Sequence, residues 1–324
     1  MAKIVCFGEI MLRLSPKGNL RFSQANCFDV VYGGGEANVS VSLSNYGHDA
    51  FFVSAIPDNE IGTCAVMDLK KYGVNCDYII RQGDRLGIYY LETASSIRPS
   101  KVIYDRKMSA IACAKKDDFD FDEIFKDADW FHFSGITCAI TSFELMEEIC
   151  KKAKEHNVCV SVDLNYRKKL WSSEEAIKCM RPLMKYVDVC IGNEEDAKMC
   201  LGYVPNADIE GGKTDYKAYY SVFENLYKDF KFKYIVSTLR ESFSASKNGW
   251  KALIYNGKEF YESKRYEISP IVDRVGSGDS FSAGIIHGLL GKDNMKEALE
   301  FAVAASALKH TIYGDFNLVS IEEV

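Results

Sequence analysis

The stretch Asp273-Arg274-Val275-Gly276-Ser277-Gly278-Asp279-Ser280-Phe281-Ser282-Ala283-Gly284 decides how this chain reads. Three small residues in succession let the backbone amides at 276 to 278 converge, and Phe281, Ile285 and Leu289 mark the buried face of a helix that follows. A helix N-terminus carries unpaired N–H groups and the positive end of the dipole, so the loop is suited to an anion. Asp279 at its mouth would sit close to that anion, an arrangement that makes sense for a group that takes up a proton. A helix cap with a plain glycine turn explains the same residues equally well, because short Gly-rich loops are weakly specific.

Outward from this stretch the chain alternates. Lys3 to Gly8 is an apolar, β-rich run; Gly33-Gly34-Gly35 opens a helix from Glu36 to Tyr46 that Gly47 ends. A strand at Phe51–Ala55 and a helix at Glu60–Tyr72 follow. Strands are predicted at 130–133, 158–163, 187–191 and 234–238, and helices at 142–155, 216–227, 280–290 and 295–309. Three short strands are expected between Phe243 and Glu262. The alternation predicts an α/β fold: a doubly wound, mostly parallel sheet with helices on both faces and ligands at the carboxyl ends of its strands.

Two segments break the rhythm. Arg13 to Phe28 reads as a polar connection before a short strand at Asp29–Tyr32, and 77–106 reads as strands only, at Ile88–Thr93 and Lys101–Asp105. They predict a small sheet standing off the body, a lid formed by about 13–32 and 86–109 within one domain spanning 1–324.

Composition narrows the function. A net charge of −6 argues against nucleic acid or an anionic membrane as partner, since binding phosphate in bulk needs an excess of Lys and Arg. Any anionic ligand must be met by a few placed cations. The eleven cysteines are scattered, with no zinc-type spacing, and read as free thiols in a reducing cytoplasm. The N-terminal apolar run is too short for a signal peptide, and no stretch is long enough to span a membrane, so a cytoplasmic protein is expected.

Arg167 follows the strand ending at Asp163 and so emerges where ligands bind; a planar guanidinium there suits a carboxylate or a phosphate. Arg106, just after a strand of the small sheet, reads the same way, and a surface salt bridge is the plainer account of both. Gly33 to Gly35 leading into Asn38 lets backbone approach a ligand, or simply turns the chain. Gly211-Gly212-Lys213-Thr214 imitates the tail of a Walker-type loop, but Ala207 stands where its first glycine is required, so it reads as a surface turn.

Taken together, Gly33-Gly34-Gly35-Glu36-Ala37-Asn38 and Gly276-Ser277-Gly278-Asp279 resemble the two signatures of the ribokinase (PfkB) family of carbohydrate kinases, and the likeness runs over essentially the whole chain. The resemblance implies a ribokinase-like fold with a β-sheet lid and transfer of the γ-phosphoryl of ATP to a sugar hydroxyl. Asp279 then matches the catalytic base, and Gly276, Ser277 and Gly278 the anion hole. Asn193 to Asp196 resembles the family's Asn-x-x-Glu, implicated in organising Mg2+, with Asp in place of Glu. Asn165, Asn193, Thr238, Arg240, Gly276 and Gly278 are the implied nucleotide contacts. Arg274 stands where a small residue or proline is usual, beside the loop that binds a monovalent cation in many relatives, which leaves a potassium requirement open.

Within the family, Gly87-Ile88-Tyr89-Tyr90-Leu91-Glu92-Thr93 and Asn165 to Trp171 are most similar to 2-keto-3-deoxygluconate kinases. That implies sugar-acid contacts from Gly34, Tyr89, Tyr104, Arg106, Arg167, Asp279 and Asp315, with Arg106 and Arg167 pairing with the substrate carboxylate. Arg13 stands where neutral-sugar members often carry an acid; an arginine cannot accept hydrogen bonds from hydroxyls, which again favours an acidic substrate. A fructokinase or other neutral-sugar kinase is the alternative. A non-catalytic sugar sensor is disfavoured because it needs no base, and a nucleoside kinase gains nothing from the two arginines. Many members are homo-oligomers through their lid sheets, and the same is expected here.

Overall fold

Strand β1 (Lys3–Phe7) shows why the body is a two-faced sheet: Val5 and Phe7 point into one apolar cluster, Ile4 and Cys6 into another, and all four are fully buried. The computed structural model describes residues 1–204, 217–291 and 294–324. After β1 come β2 (Met11–Pro16), β3 (Phe28–Gly33), β4 (Asp49–Ile56), β5 (Ile79–Arg81), β6 (Gly87–Glu92) and β7 (Lys101–Asp105). The second half supplies β8 (Trp130–Ser134), β9 (Cys159–Asp163), β10 (Val189–Gly192), β11 (Tyr234–Ser244), β12 (Lys247–Tyr255), β13 (Phe260–Glu262) and β14 (Tyr266–Ile268).

The ten-stranded main sheet runs β13-β12-β11-β10-β9-β8-β1-β4-β5, with β14 also paired to β12. Its strands from β5 to β11 are parallel, and β12 to β14 join antiparallel. The chain winds from β1 outward through β4 and β5, then returns to β8 on β1's other side. The order reverses between β1 and β8, and there the carboxyl ends of an open sheet leave a crevice.

One face of the sheet is covered by helices Gly35–Asn45, Glu60–Lys71, Ser277–Gly291 and Met295–Lys309. The other is covered mainly by Phe143–Glu155, Ser173–Leu183 and Lys217–Phe230. Helices Ser277–Gly291 and Met295–Lys309 pack unusually closely, since a Cβ at Gly284 would stand 2.6 Å from Ala302 Cα. That contact fixes the helix that begins in the Gly-rich loop.

The four-stranded second sheet has the order β3-β2-β6-β7. Met11, Tyr89 and Leu91 form its buried face, with Val102, Tyr104 and Val275 of the Gly-rich stretch packed against them. Val30 and Ile103 lie exposed on the opposite side.

Besides short elements the sequence did not indicate, β5 and the helices Phe121–Phe125 and Gly135–Ile140, the structure departs from the sequence reading in three larger segments. Met11–Pro16 is a strand and not a polar connection, because Arg13 and Ser15 are buried and paired. The region from Tyr234 to Tyr255 forms a long β11–β12 hairpin paired from Ile235↔Tyr255 to Ser244↔Lys247, in place of several short strands. Helix Ser173–Leu183, which opens with a capping box at Ser172 and Glu175, was not anticipated. The Walker-like turn at Gly211–Thr214 lies outside the described residues. Among the described residues no helix is long and apolar enough to cross a membrane, and all eleven cysteines are free thiols.

Candidate active site

The carboxyl ends of the parallel strands, the second sheet and the Gly-rich loop enclose one cleft of about 590 Å³. Every residue that the sequence assigned to catalysis, sugar, nucleotide or metal lines it, and Arg13, read there as a mark of substrate choice, does not. Gly34, Tyr89, Tyr104, Arg106 and Asp315 stand with the second sheet, and Arg167 follows the end of β9. Asn165, Asn193, Asp196, Thr238 and Arg240 lie along β9 to β11, and Gly276, Ser277, Gly278 and Asp279 close the floor.

The floor is held by its own geometry. Gly276 has φ +81°, and a Cβ there would run into the carbonyl oxygen of Asp315. Only glycine accommodates both demands. Ser277 is largely buried, and its backbone carbonyl accepts from Ser306 Oγ at 2.7 Å, tying the loop to the neighbouring helix. The Ser277 amide turns back to the Arg274 carbonyl at 3.3 Å, so Gly276 and Gly278 are the better placed anion donors of the three. Asp279 occupies the first turn of helix Ser277–Gly291. Its carboxylate accepts from Asn38 Nδ2 at 2.6 Å, while Asn38 Oδ1 accepts from the Gly34 amide at 3.2 Å. One side chain thus joins two Gly-rich helix starts that lie 241 residues apart.

Electrostatics set the chemistry. Burial pushes the Asp279 carboxyl up to about 6, with Asn38 and Arg167 opposing and Glu36 and Asp315 reinforcing. Asp163 lies well above the ordinary carboxylate range through burial and then through Asp196 and Asp279. Burial also takes Asp196 up to about 6, against hydrogen bonds from the amides of Asn193 and Tyr166. Glu36 sits beneath the floor, raised by burial although it accepts from the Ser134 amide and Thr137 Oγ1. Sequence reading missed Glu36 and Asp163 as site groups. The available signal was a carboxylate at a strand's carboxyl end and another in the first turn after a Gly-rich start.

Among the described residues no cluster of three His, Cys, Asp or Glu side chains converges to hold a metal by itself. Asn193 and Asp196 are mutually engaged, since Asn193 Oδ1 accepts from the Asp196 amide and Asp196 Oδ2 from the Asn193 amide. Among the described residues the Asp163 carboxylate has one long hydrogen bond, from Asn165 Nδ2 at 3.5 Å, and it faces the same cleft. These residues fit a Mg2+ bound largely through phosphate oxygens and water, its usual mode with nucleotides.

The arginines differ from one another. Arg167 is exposed in the cleft and donates to the Tyr166 carbonyl at 3.1 Å; it makes no ion pair within 4 Å among the described residues. Arg106 is buried against Glu9, which also accepts from Ser109 Oγ, and its guanidinium lies over the Tyr104 ring. Arg13 does not reach the cleft at all. It is fully buried, bridging Asp273 at 2.8 Å and Asp315 at 2.9 Å, and Asp315 in turn accepts from Tyr89 Oη at 2.6 Å. Arg13 therefore does not face a sugar's hydroxyls, contrary to what its place in the sequence suggests, because two buried carboxylates hold it in the interior. The cleft wall there is Asp315, an acceptor that Arg13 holds from behind.

Comparison with known proteins places these features. The family model for pfkB family carbohydrate kinases matches residues 1–214 and 245–319. A 2-dehydro-3-deoxygalactonokinase of Haloferax volcanii is 33% identical over 100% of this chain and 95% of its own. The crystal structure of a 2-dehydro-3-deoxygluconokinase from Thermotoga maritima superposes with a TM-score of 0.95 at 49% identity, covering 100% of this chain and 98% of that one. A sugar kinase from Pyrococcus horikoshii, solved in complex with ATP, shares the fold at a TM-score of 0.78 and 20% identity, covering 99% and 96%.

Proposed function

Because this chain belongs to the pfkB family of carbohydrate kinases, we propose that it transfers the γ-phosphoryl group of ATP to 2-keto-3-deoxygluconate, giving 2-keto-3-deoxy-6-phosphogluconate. The observation that carries the acid specificity is Arg167, an exposed guanidinium without a carboxylate partner within ion-pair distance among the described residues, in a cleft that also holds Asp279. Arg106 and the hydroxyls of Tyr104 and Tyr89 line the same side, and a guanidinium with five N–H groups keeps donors beyond those Glu9 takes.

In this reading the substrate carboxylate pairs with Arg167 and Arg106, and the chain's terminal hydroxyl reaches Asp279 next to Gly34. As the hydroxyl oxygen attacks the γ-phosphorus in line, its proton passes to Asp279 and the bond to the ADP oxygen breaks. Asn38 holds the receiving carboxylate in place. A carboxyl pushed up to about 6 is ionised at neutral pH yet basic enough to accept the proton. The amides of Gly276 and Gly278 take the charge that builds on the transferred group. Thr238 and Arg240 stand on the base side of the nucleotide, Asn165 and Asn193 toward its phosphates. Mg2+, when bound with the nucleotide near Asn193, Asp196 and Asp163, would neutralise phosphate charge. The second sheet is the lid that shuts water out, and its exposed Val30 and Ile103 suit assembly of a homo-oligomer.

The relative named for the galactonate acid favours a second reading, in which the epimeric 2-keto-3-deoxygalactonate is also or instead accepted. A coupled ADP-release assay with ATP and Mg2+ on both keto acids, fructose, ribose and a nucleoside decides. Turnover confined to the keto acids is expected, and their ratio separates the epimers. Preferential turnover of fructose would overturn the carboxylate clamp.

A further inference from the structure

Directly beneath the anion loop lies a cation that the phosphoryl-transfer scheme does not use. Lys309, the last residue of helix Met295–Lys309, has no exposed surface. Its Nζ donates to the carbonyl oxygens of Gly314 at 2.9 Å and Ile312 at 3.1 Å. Burial works against its charge, while Asp273 and Asp315 favour it. The side chain also touches the loop, since a Cβ at Gly276 would meet Lys309 Cε at 3.3 Å as well as the Asp315 carbonyl. The Gly314 amide donates to Asp273 Oδ2 at 3.2 Å, and Arg13 bridges Asp273 to Asp315. The Lys309 ammonium thus has two backbone carbonyls as direct acceptors and two carboxylates nearby, which it shares with Arg13, and carbonyl oxygens of this kind are ligands that a potassium ion takes.

We propose that the Lys309 ammonium is a tethered monovalent cation, which holds the Ile312–Asp315 turn against the Gly276 loop so that the anion-binding amides and Asp279 are aligned without a free potassium or ammonium ion. The proposal rests on reading this cleft as the phosphoryl-transfer site. The potassium position that the family resemblance left open beside Arg274 is thereby filled by the chain itself. A cation delivered on the end of a rigid helix loses no translational freedom on arrival, unlike a diffusing ion. Removing it leaves Asp273 and Asp315 buried with Arg13 as their remaining close cation, a net negative charge in the interior. A small free ion could then enter the space.

The test compares the wild type with Lys309→Met in a choline-based buffer, adding KCl, NH4Cl or choline chloride at constant ionic strength. Three quantities are followed: ATP binding by calorimetry, turnover of the accepted sugar acid, and the thermal midpoint. For the wild type all three stay flat across the salts. The variant loses turnover on the order of 100-fold, as a misplacement of about 1 Å does. It binds ATP more weakly, and K+ or NH4+ restores both while choline does not. Stimulation of the wild type by potassium would overturn the proposal, as would a variant with wild-type turnover and ATP affinity. A folded variant equally impaired in every salt would reduce Lys309 to packing and also overturn it. If the variant does not fold, the wild-type titration still decides. Should no sugar acid be turned over, the kinase reading fails on its own, and the salt dependence of ATP binding continues to judge the lysine.

Discussion

Replacing Asp279 by Asn tests the base and its electrostatic setting together. The carboxyl is raised from 3.8 to about 6, chiefly by burial. One pKa unit is worth about 1.4 kcal/mol, so ionised Asp279 costs the folded state at most about 3 kcal/mol, less whatever the water of the cleft screens. The sign follows from linkage. A group whose pKa rises on folding contributes stability that is present below pH 3.8 and disappears as pH climbs through about 6. Asn has no charge to bury and can still accept from Asn38. Asp279→Asn should therefore melt higher than the wild type at pH 8, by about 2 to 5 °C, and the gap should close toward pH 4. Turnover should fall about 1,000-fold, with sugar and ATP affinities near wild type, a loss of roughly 4 kcal/mol in transition-state stabilisation. Thermal melts at pH 8, 6 and 4 with steady-state kinetics at pH 8 measure both halves. Unchanged turnover would remove Asp279 from the base role, and a stability gain identical at every pH would show that packing, and not buried charge, is responsible.

Arg167→Ala should raise KM for the keto acid by about 10- to 100-fold, the worth of a charge-assisted hydrogen bond, and leave KM for any neutral sugar nearly unchanged; equal effects on both, or a loss confined to kcat, would assign the arginine to the phosphate. Gly276→Ala should lose more than about 1 kcal/mol of stability, because its φ is positive and the new Cβ meets the Asp315 carbonyl. Gly278→Ala, whose Cβ would point into open space, should melt like the wild type. Equal melting of the two variants would refute the crowding argument.

What the sequence reveals and what it hides follow from where each side chain finds its partner. β1, β4, β8 and β9 are legible because parallel strands buried on both faces read as apolar runs. The two Gly-rich helix starts are legible because few other residue types allow such turns. β2 is hidden because Arg13 reads as a surface residue, and what buries it is Asp315, 302 residues further on. For the same reason the sequence offers a salt bridge for Arg106 only as a surface contact, whereas its partner is the buried Glu9, 97 residues earlier in the chain. Asp163 and Glu36 look like an ordinary strand end and an ordinary first helical turn. Their convergence on Asp279 is a property of the sheet order, which places β9 and the helix Gly35–Asn45 around one crevice.

The charge layout explains why the cleft tolerates that convergence. Asp163, Asp196 and Asp279 share the cleft, and after burial the two neighbouring acids push the Asp163 carboxyl up. Apolar side chains of similar size would stabilise the floor better, so the acids persist against stability. In the proposed reaction, a site that takes a proton from a hydroxyl and accepts a cation-bearing polyphosphate needs negative charge beside an anion hole. The chain keeps the two from collapsing into each other by anchoring each separately. Asn38 fixes Asp279 from the side of Gly34. Arg13 and Lys309 fix Asp315 and its turn from below, and Asp315 in turn wedges the Gly276 loop. Neither buried cation lines the cleft, and in the proposed reaction they set where the Gly276 loop and Asp279 stand, one layer beneath the residues that would perform the chemistry.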